Sequence, residues 1–372
     1  MRRIKKLILP IVIVILNLLA CIRPFCDAYK RSVYPLISDV LGRINARIPF
    51  ALGEILMYLG AAAVLLLAVL AVMLLFLRKR EGFRKWAIAY CKGFLIAAQI
   101  LLLIYTLNWV IPFRASILTV PGATERGYTL EEVGAVRDHI VTELNSCALE
   151  VSRDESGNVI YDRSAMDRAV FSAMRSLSEG YPSLSGYYPP MKDALCSDFL
   201  EWMNIGGYTY PYTMEVTWNR YCHDLYYPFL LAHESSHHQG YYQENEANYL
   251  AFLSLIGSED PLLRYAGYNE IYYYIENAFY ETAGLFMPPE EVRAYLLERP
   301  AVSDLVKADR AYARAVSRER YDADSHPAQS LSGSAAKAAD VGWSVQGDVL
   351  QENSYDGVVK MVLQYYDVYG LE

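Results

Sequence analysis

Four of the chain's six histidines fall between positions 223 and 238, and two of them bracket a short run, His233-Glu234-Ser235-Ser236-His237. On a helix, residues four apart lie about 40° from each other around the axis. Both imidazoles can then reach one metal from the same face, with Glu234 beside them to polarise a bound water. A catalytic zinc takes three protein ligands and leaves a fourth position for water. The five-residue pattern also arises by chance, so its surroundings have to carry the assignment.

Those surroundings are specific. The apolar lead-in Tyr226 to Ala232 predicts a helix over 226–240. Gly240 can end it in a left-handed cap, letting the chain reverse and send a second helix back past the first. That helix opens Glu244-Asn245-Glu246-Ala247-Asn248. Glu244 and Glu246 lie about 200° apart around it, so only one can face the metal. The Glu244 face runs on through Ala247, Asn248, Ala251 and Leu255, whose small members allow close approach. The Glu246 face is bulkier, with Tyr249, Leu250 and Leu253. Glu244 is therefore the favoured third ligand and Glu246 the alternative. Asn248, one turn on, is placed to hydrogen-bond a ligating histidine. Gln243, six residues beyond His237, offers only an amide oxygen, which disfavours a metzincin-like arrangement.

Other residues invite roles and have plainer readings. His223 could be an electrophile or proton donor near the metal, or an exposed loop histidine. Glu215, in the strand-like Tyr212 to Thr217, stands where a substrate-pairing edge strand is expected, or is a surface charge on such an edge. Tyr265 and Tyr268 could bind a tetrahedral intermediate, but core packing serves both. His139 and His326 are assigned no role.

The elements that position this chemistry divide at about residue 113. Residues 7–22, 50–77 and 87–113 are apolar stretches, the last two exceeding the ~20 residues of a spanning helix. A cleaved signal peptide or lipoprotein site in the first stretch is the lesser reading. Basic residues flank the N-terminus (Arg2, Arg3, Lys5, Lys6) and the connection between the second and third stretches (Arg78, Lys79, Arg80, Arg84, Lys85). Both should be cytoplasmic, which puts the loop of about 23–49 and everything after 113 outside the cytoplasm.

Residues 114–372 read as helices and turns. Thr129-Leu130-Glu131-Glu132 is a capping box opening a helix to about Val151, and Ser164 is expected to cap a second helix. Residues 208–218 fit one or two short strands. Further helices are expected over 244–256, from Pro261, over 289–298, 303–320 and 355–369, with a loose connection at 323–342. The net charge of −8, set against a basic N-terminal part, places the acidic excess in this region, so nucleic acid is not an expected partner. Six cysteines without a CxxC pair imply neither a disulfide framework nor a thiolate zinc site.

The block from His233 to Asn248 resembles the bacterial DUF3810 family of membrane proteins, grouped with HExxH peptidases. Tyr34-Pro35, Ile48-Pro49-Phe50, Asn108-Trp109, Tyr265-Ala266-Gly267-Tyr268 and Tyr355-Asp356-Gly357-Val358-Val359 match it too. Ser235-Ser236 stand where small apolar residues are expected. The resemblance implies a gluzincin-like site, with Glu244 and Asn248 as third ligand and support. The expected architecture is mainly α: three transmembrane helices, then an α-rich zincin-like (α+β) domain with a small edge sheet. The expected function is a membrane-anchored zinc metallopeptidase acting on a peptide or protein, Zn²⁺ held by His233, His237 and Glu244, with Glu234 as general base. A zinc-retaining sensor or binding module is the rival from another class, and an amidase acting on cell-wall peptides shares the metal chemistry.

Overall fold

The computed structural model describes residues 7–324 and 352–371. His326, and the expected loose connection at 323–342 apart from its first two residues, lie outside them. The described chain is mainly helical.

Among the described residues two helices are long and apolar enough to cross a membrane: α4 (Leu52–Leu77), and α5 (Glu81–Tyr105), which continues through a π turn at Thr106–Val110 to Phe113. Their apolar side chains are largely uncovered, Leu65 and Phe76 being 67% and 80% exposed, as expected where lipid is the solvent. The first apolar stretch behaves differently. Helix α1 (Ile8–Leu19) has 12 residues, about 18 Å, short of a ~30 Å hydrocarbon core. It leans on α5, where Asn17 donates to the Thr106 hydroxyl at 3.0 Å, and then turns by 108° into α2 (Arg23–Ser32). A third span exists only if that bent pair is counted as one.

The expected loop at 23–49 is mostly helical. Pro24 and Pro35 stand in the first turns of α2 and α3 (Tyr34–Asn45), where proline's missing N–H costs nothing. Both helices pack on the 106–113 end of the third apolar stretch.

Beyond residue 113, α6 (Leu130–Glu150) opens with the predicted capping box, both of its bonds present. Helix α7 (Arg163–Ser176) is capped by Asp162 instead of Ser164. The Asp162 carboxylate accepts from the Ala165 amide, and the Ser164 hydroxyl is spent on that same carboxylate. Helix α8 (Ser197–Trp202) precedes the strands; α9 (Tyr227–His238), α10 (Glu244–Ile256), α11 (Pro261–Gly284), α12 (Pro289–Leu297), α13 (Asp304–Ala323) and α14 (Glu352–Tyr369) follow. Helix α11 lies along α6, while α10 packs on α9, α11 and α14.

The sheet has three short strands, β1 (Lys192–Asp193), β2 (Gly207–Tyr210) and β3 (Glu215–Trp218), in the order β1-β3-β2. Strand β3 is therefore central and β2 is an edge. This corrects the placing of Glu215 on an edge strand, whether as a substrate contact or as a surface charge. Its carboxylate is buried, paired with the Lys192 ammonium, and accepts from the Leu52 and Gly53 amides at the start of α4 and from the Thr213 hydroxyl. In return Glu54 of α4 accepts from the Leu195 and Cys196 amides at 3.0 and 2.7 Å. Asn45 and Asn108 donate to the Thr213 and Pro211 carbonyls in the β2–β3 turn. The apolar stretches and the region after 113 thus share packed contacts, and Tyr34, Ile111, Met214 and Tyr242 lie in one buried cluster.

Candidate metal centre

Helix α9 begins with Pro228 in its first turn and is buried on almost every side. Only Leu230 and His233 are partly open to solvent. Gly240 follows with φ +91°, the left-handed reversal its position predicts, and an added Cβ would meet the Tyr34 ring at 2.9 Å. The chain then enters α10 at Glu244.

This reversal brings His233, His237 and Glu244 together. The two histidine Nε2 atoms are 3.1 Å apart, and the Glu244 oxygens lie 3.3 Å from His233 Nε2 and 3.5 Å from His237 Nε2. One potential ligand atom from each falls within 4.8 Å of the others. The Nδ1 atoms settle the tautomers. His237 Nδ1 meets the Tyr241 carbonyl at 2.8 Å, and a carbonyl only accepts, so the proton sits on Nδ1. His233 Nδ1 meets the Asn248 amide oxygen at 2.8 Å, while Asn248 Nδ2 donates to the Tyr274 hydroxyl. In the neutral form, imidazoles held this way turn both Nε2 lone pairs toward the carboxylate, a donor set that a shared proton or a metal cation can bridge.

The electrostatics follow. Burial alone would lower His237, but the Glu244 carboxylate outweighs it and lifts the imidazole to about 9. Burial would raise Glu244, yet the His237 and His233 charges hold it well below the usual carboxylate range. Without a metal, a proton takes the cation's place.

Glu234 is buried beside this cluster. Burial pushes its carboxyl up, against the two histidine charges. The Thr209 hydroxyl on β2 lies 2.9 Å from its Oε2 and 2.8 Å from its backbone carbonyl, fixing the carboxylate between strand and helix.

Glu246 points elsewhere. Its Oε1 accepts from the Leu118 amide at 2.6 Å and Oε2 from the Gln243 amide, so it caps α10. His223 is neither exposed nor gathered with the triad. It is buried edge-on against Tyr161 and Tyr312, and burial lowers its pKa. Tyr265 donates to buried Asp309 at 2.7 Å, and Tyr268 packs on Phe252, so both are core residues. Three residues of the site's surroundings escaped sequence reasoning: Thr209, Tyr274 and Tyr34, whose hydroxyl donates to the His238 carbonyl at 3.0 Å. Alternation marked Thr209 as strand, but nothing in the sequence joined it to Glu234.

The family described as "Protein of unknown function (DUF3810)" matches residues 29–332, and the chain belongs to it. No curated protein and no solved structure matches the chain.

Proposed function

We propose that this DUF3810 protein is a membrane-anchored zinc metallopeptidase whose site lies outside the cytoplasm. The observation that carries this reading is the convergence of two Nε2 lone pairs on a half-exposed carboxylate, with a buried glutamate alongside. Two imidazoles and one carboxylate are a zinc donor set with a position left open. A bound Zn²⁺ would lower the pKa of its water toward ~7 and polarise a carbonyl oxygen. His233, His237 and Glu244 would hold the ion. Asn248 and the Tyr241 carbonyl keep the imidazoles in the ligating tautomer. Glu234, buried beside the three ligands, would take the proton from the attacking water and return it to the leaving nitrogen. Thr209 keeps its carboxylate in place. Strand β2 is an edge in the described sheet, the side on which an extended peptide would add as a further strand. The basic flanks of the spans support the orientation.

The test uses the full chain in detergent. Wild type should carry about one zinc and cleave members of a peptide library. Glu234→Gln should keep the zinc and lose at least 10²-fold in turnover. A folded wild type without zinc, or a Glu234→Gln protein with full activity, rejects the reading. Peptide binding without turnover shifts the function to a zinc-retaining binding module.

A further inference from the structure

Helix α3 presents two different faces. Tyr34, Ser38, Gly42 and Asn45 are buried. Tyr34 bonds the end of the metal helix, and Gly42 is so close to His238 that an added Cβ would lie 2.9 Å from the ring. Asn45 holds the β2–β3 turn. On the other side Leu36, Val40 and Ile44 form a stripe at i, i+4, i+8, with exposures of 69%, 56% and 53%. Phe50, and Leu56 and Leu59 of α4, are exposed as well.

Depth and charge say what covers this stripe. Helices α2 and α3 pack on the 106–113 end of the third apolar stretch, where Tyr105, Trp109 and Phe113 stack as an aromatic belt. Arg23 and Arg31, at the two ends of α2, and Arg47, just beyond α3, are exposed and make no ion pair among the described residues. An exposed apolar stripe and three exposed arginines on neighbouring segments, at the level of an aromatic belt, fit the interface of an anionic bilayer.

We propose that α2 and α3 form an interfacial element, with the Leu36, Val40 and Ile44 face sunk among the acyl chains of the membrane that α4 and α5 cross, and Arg23, Arg31 and Arg47 on anionic phospholipid headgroups. The C-terminal end of the metal helix, which Tyr34 and Gly42 touch, then lies on the side of α3 away from that lipid surface. The inference stands on the packing of α3 and does not depend on what metal the site holds.

Spin labels on a genetically encoded ketone side chain test it, in the full chain and in nanodiscs of phosphatidylcholine and phosphatidylglycerol. Labels go at Leu36, Val40 and Ile44, with Leu65 of α4 as lipid reference and Ser164 as water reference. Collisions with oxygen should exceed those with a water-soluble nickel chelate at 36, 40 and 44, as at 65. Nickel-dominated collisions there, as at 164, overturn the proposal. Low collision rates with both reagents also overturn it, since they mean protein covers the stripe. In discs of phosphatidylcholine alone the oxygen-to-nickel ratio at Val40 should fall severalfold. Arg23→Gln, Arg31→Gln and Arg47→Gln together should reproduce that fall in the anionic discs. Ratios independent of both changes would remove the headgroup contact.

Discussion

Two clusters of charge, one on each side of the β2–β3 hairpin, contrast in how their atoms are satisfied. In the Lys192–Glu215 cluster nothing is left over. The ammonium donates to the Asn45 and Phe50 carbonyls and to Glu215, whose oxygens also take two amides and a hydroxyl. In the His233–His237–Glu244 cluster three acceptors face each other, and the Glu244 side chain is 48% exposed. A closed network of this kind holds an architecture together, here the start of α4 against the sheet. An open one, with its lone pairs aimed at a common point, is what the proposed metal site rests on. Charge content alone does not separate the two; the count of unmet acceptors does.

The largest effect should come from breaking the closed cluster. Lys192→Met leaves Glu215 buried without its cation, at a cost of about 3–5 kcal/mol. Thermal unfolding of the full chain, followed by circular dichroism in detergent, should shift sharply downward. An unchanged midpoint would make the pair dispensable and dissolve the contrast. In the open cluster the same deletion should spare the fold and abolish a ligand. Glu244→Ala should lose at least 100-fold in zinc affinity with little loss of stability. Glu246→Ala should do the reverse, keeping zinc and losing about 1–2 kcal/mol with its cap; zinc titration and melting of both proteins decide the matter.

Two smaller effects sharpen the picture. Asn248→Ala frees the His233 tautomer and should weaken zinc by about 10–100-fold. The last prediction concerns protons. The metal-free His237 pKa, about 9, lies above that of the unfolded chain, near 6.5. Its contribution to stability is therefore complete below 6.5 and lost as pH rises through 9. Since it is protonated at neutral pH, zinc should displace its proton at pH 7.5, with most of a second coming from a bound water that titrates near ~7, and should bind more tightly as pH rises toward 9. Calorimetry in buffers of different ionisation enthalpy measures the number released, and a release no larger than the water's would show that the proton does not occupy the cation's place.

Much of the frame was legible along the chain. The apolar stretches at 50–77 and 87–113, helical over 52–77 and 81–113, declare themselves by length and apolarity, and the capping box at Thr129 by four adjacent residues. The short first stretch was harder, since its 12-residue helix and sharp turn are set by packing against α5. Ser164 and Asp162 are both good caps, and two residues of spacing decided between them. The loop expected at 23–49 hid two helices because its apolar residues serve two opposite faces, so no single stripe marks it.

At the site, the histidine pair and Glu234 follow from helical geometry within five residues, and Gly240 announced the reversal. The sequence by itself determined the donor types and the one turn of helix that aligns them. The choice of Glu244 over Glu246 belonged to the fold, because the Leu118 amide claims one and the histidines the other. Thr209 meets Glu234 across 25 positions and Glu215 meets Leu52 across 163. Helical periodicity fixes neighbours within a turn or two; partners so far apart along the chain are chosen only when packing closes the space between them.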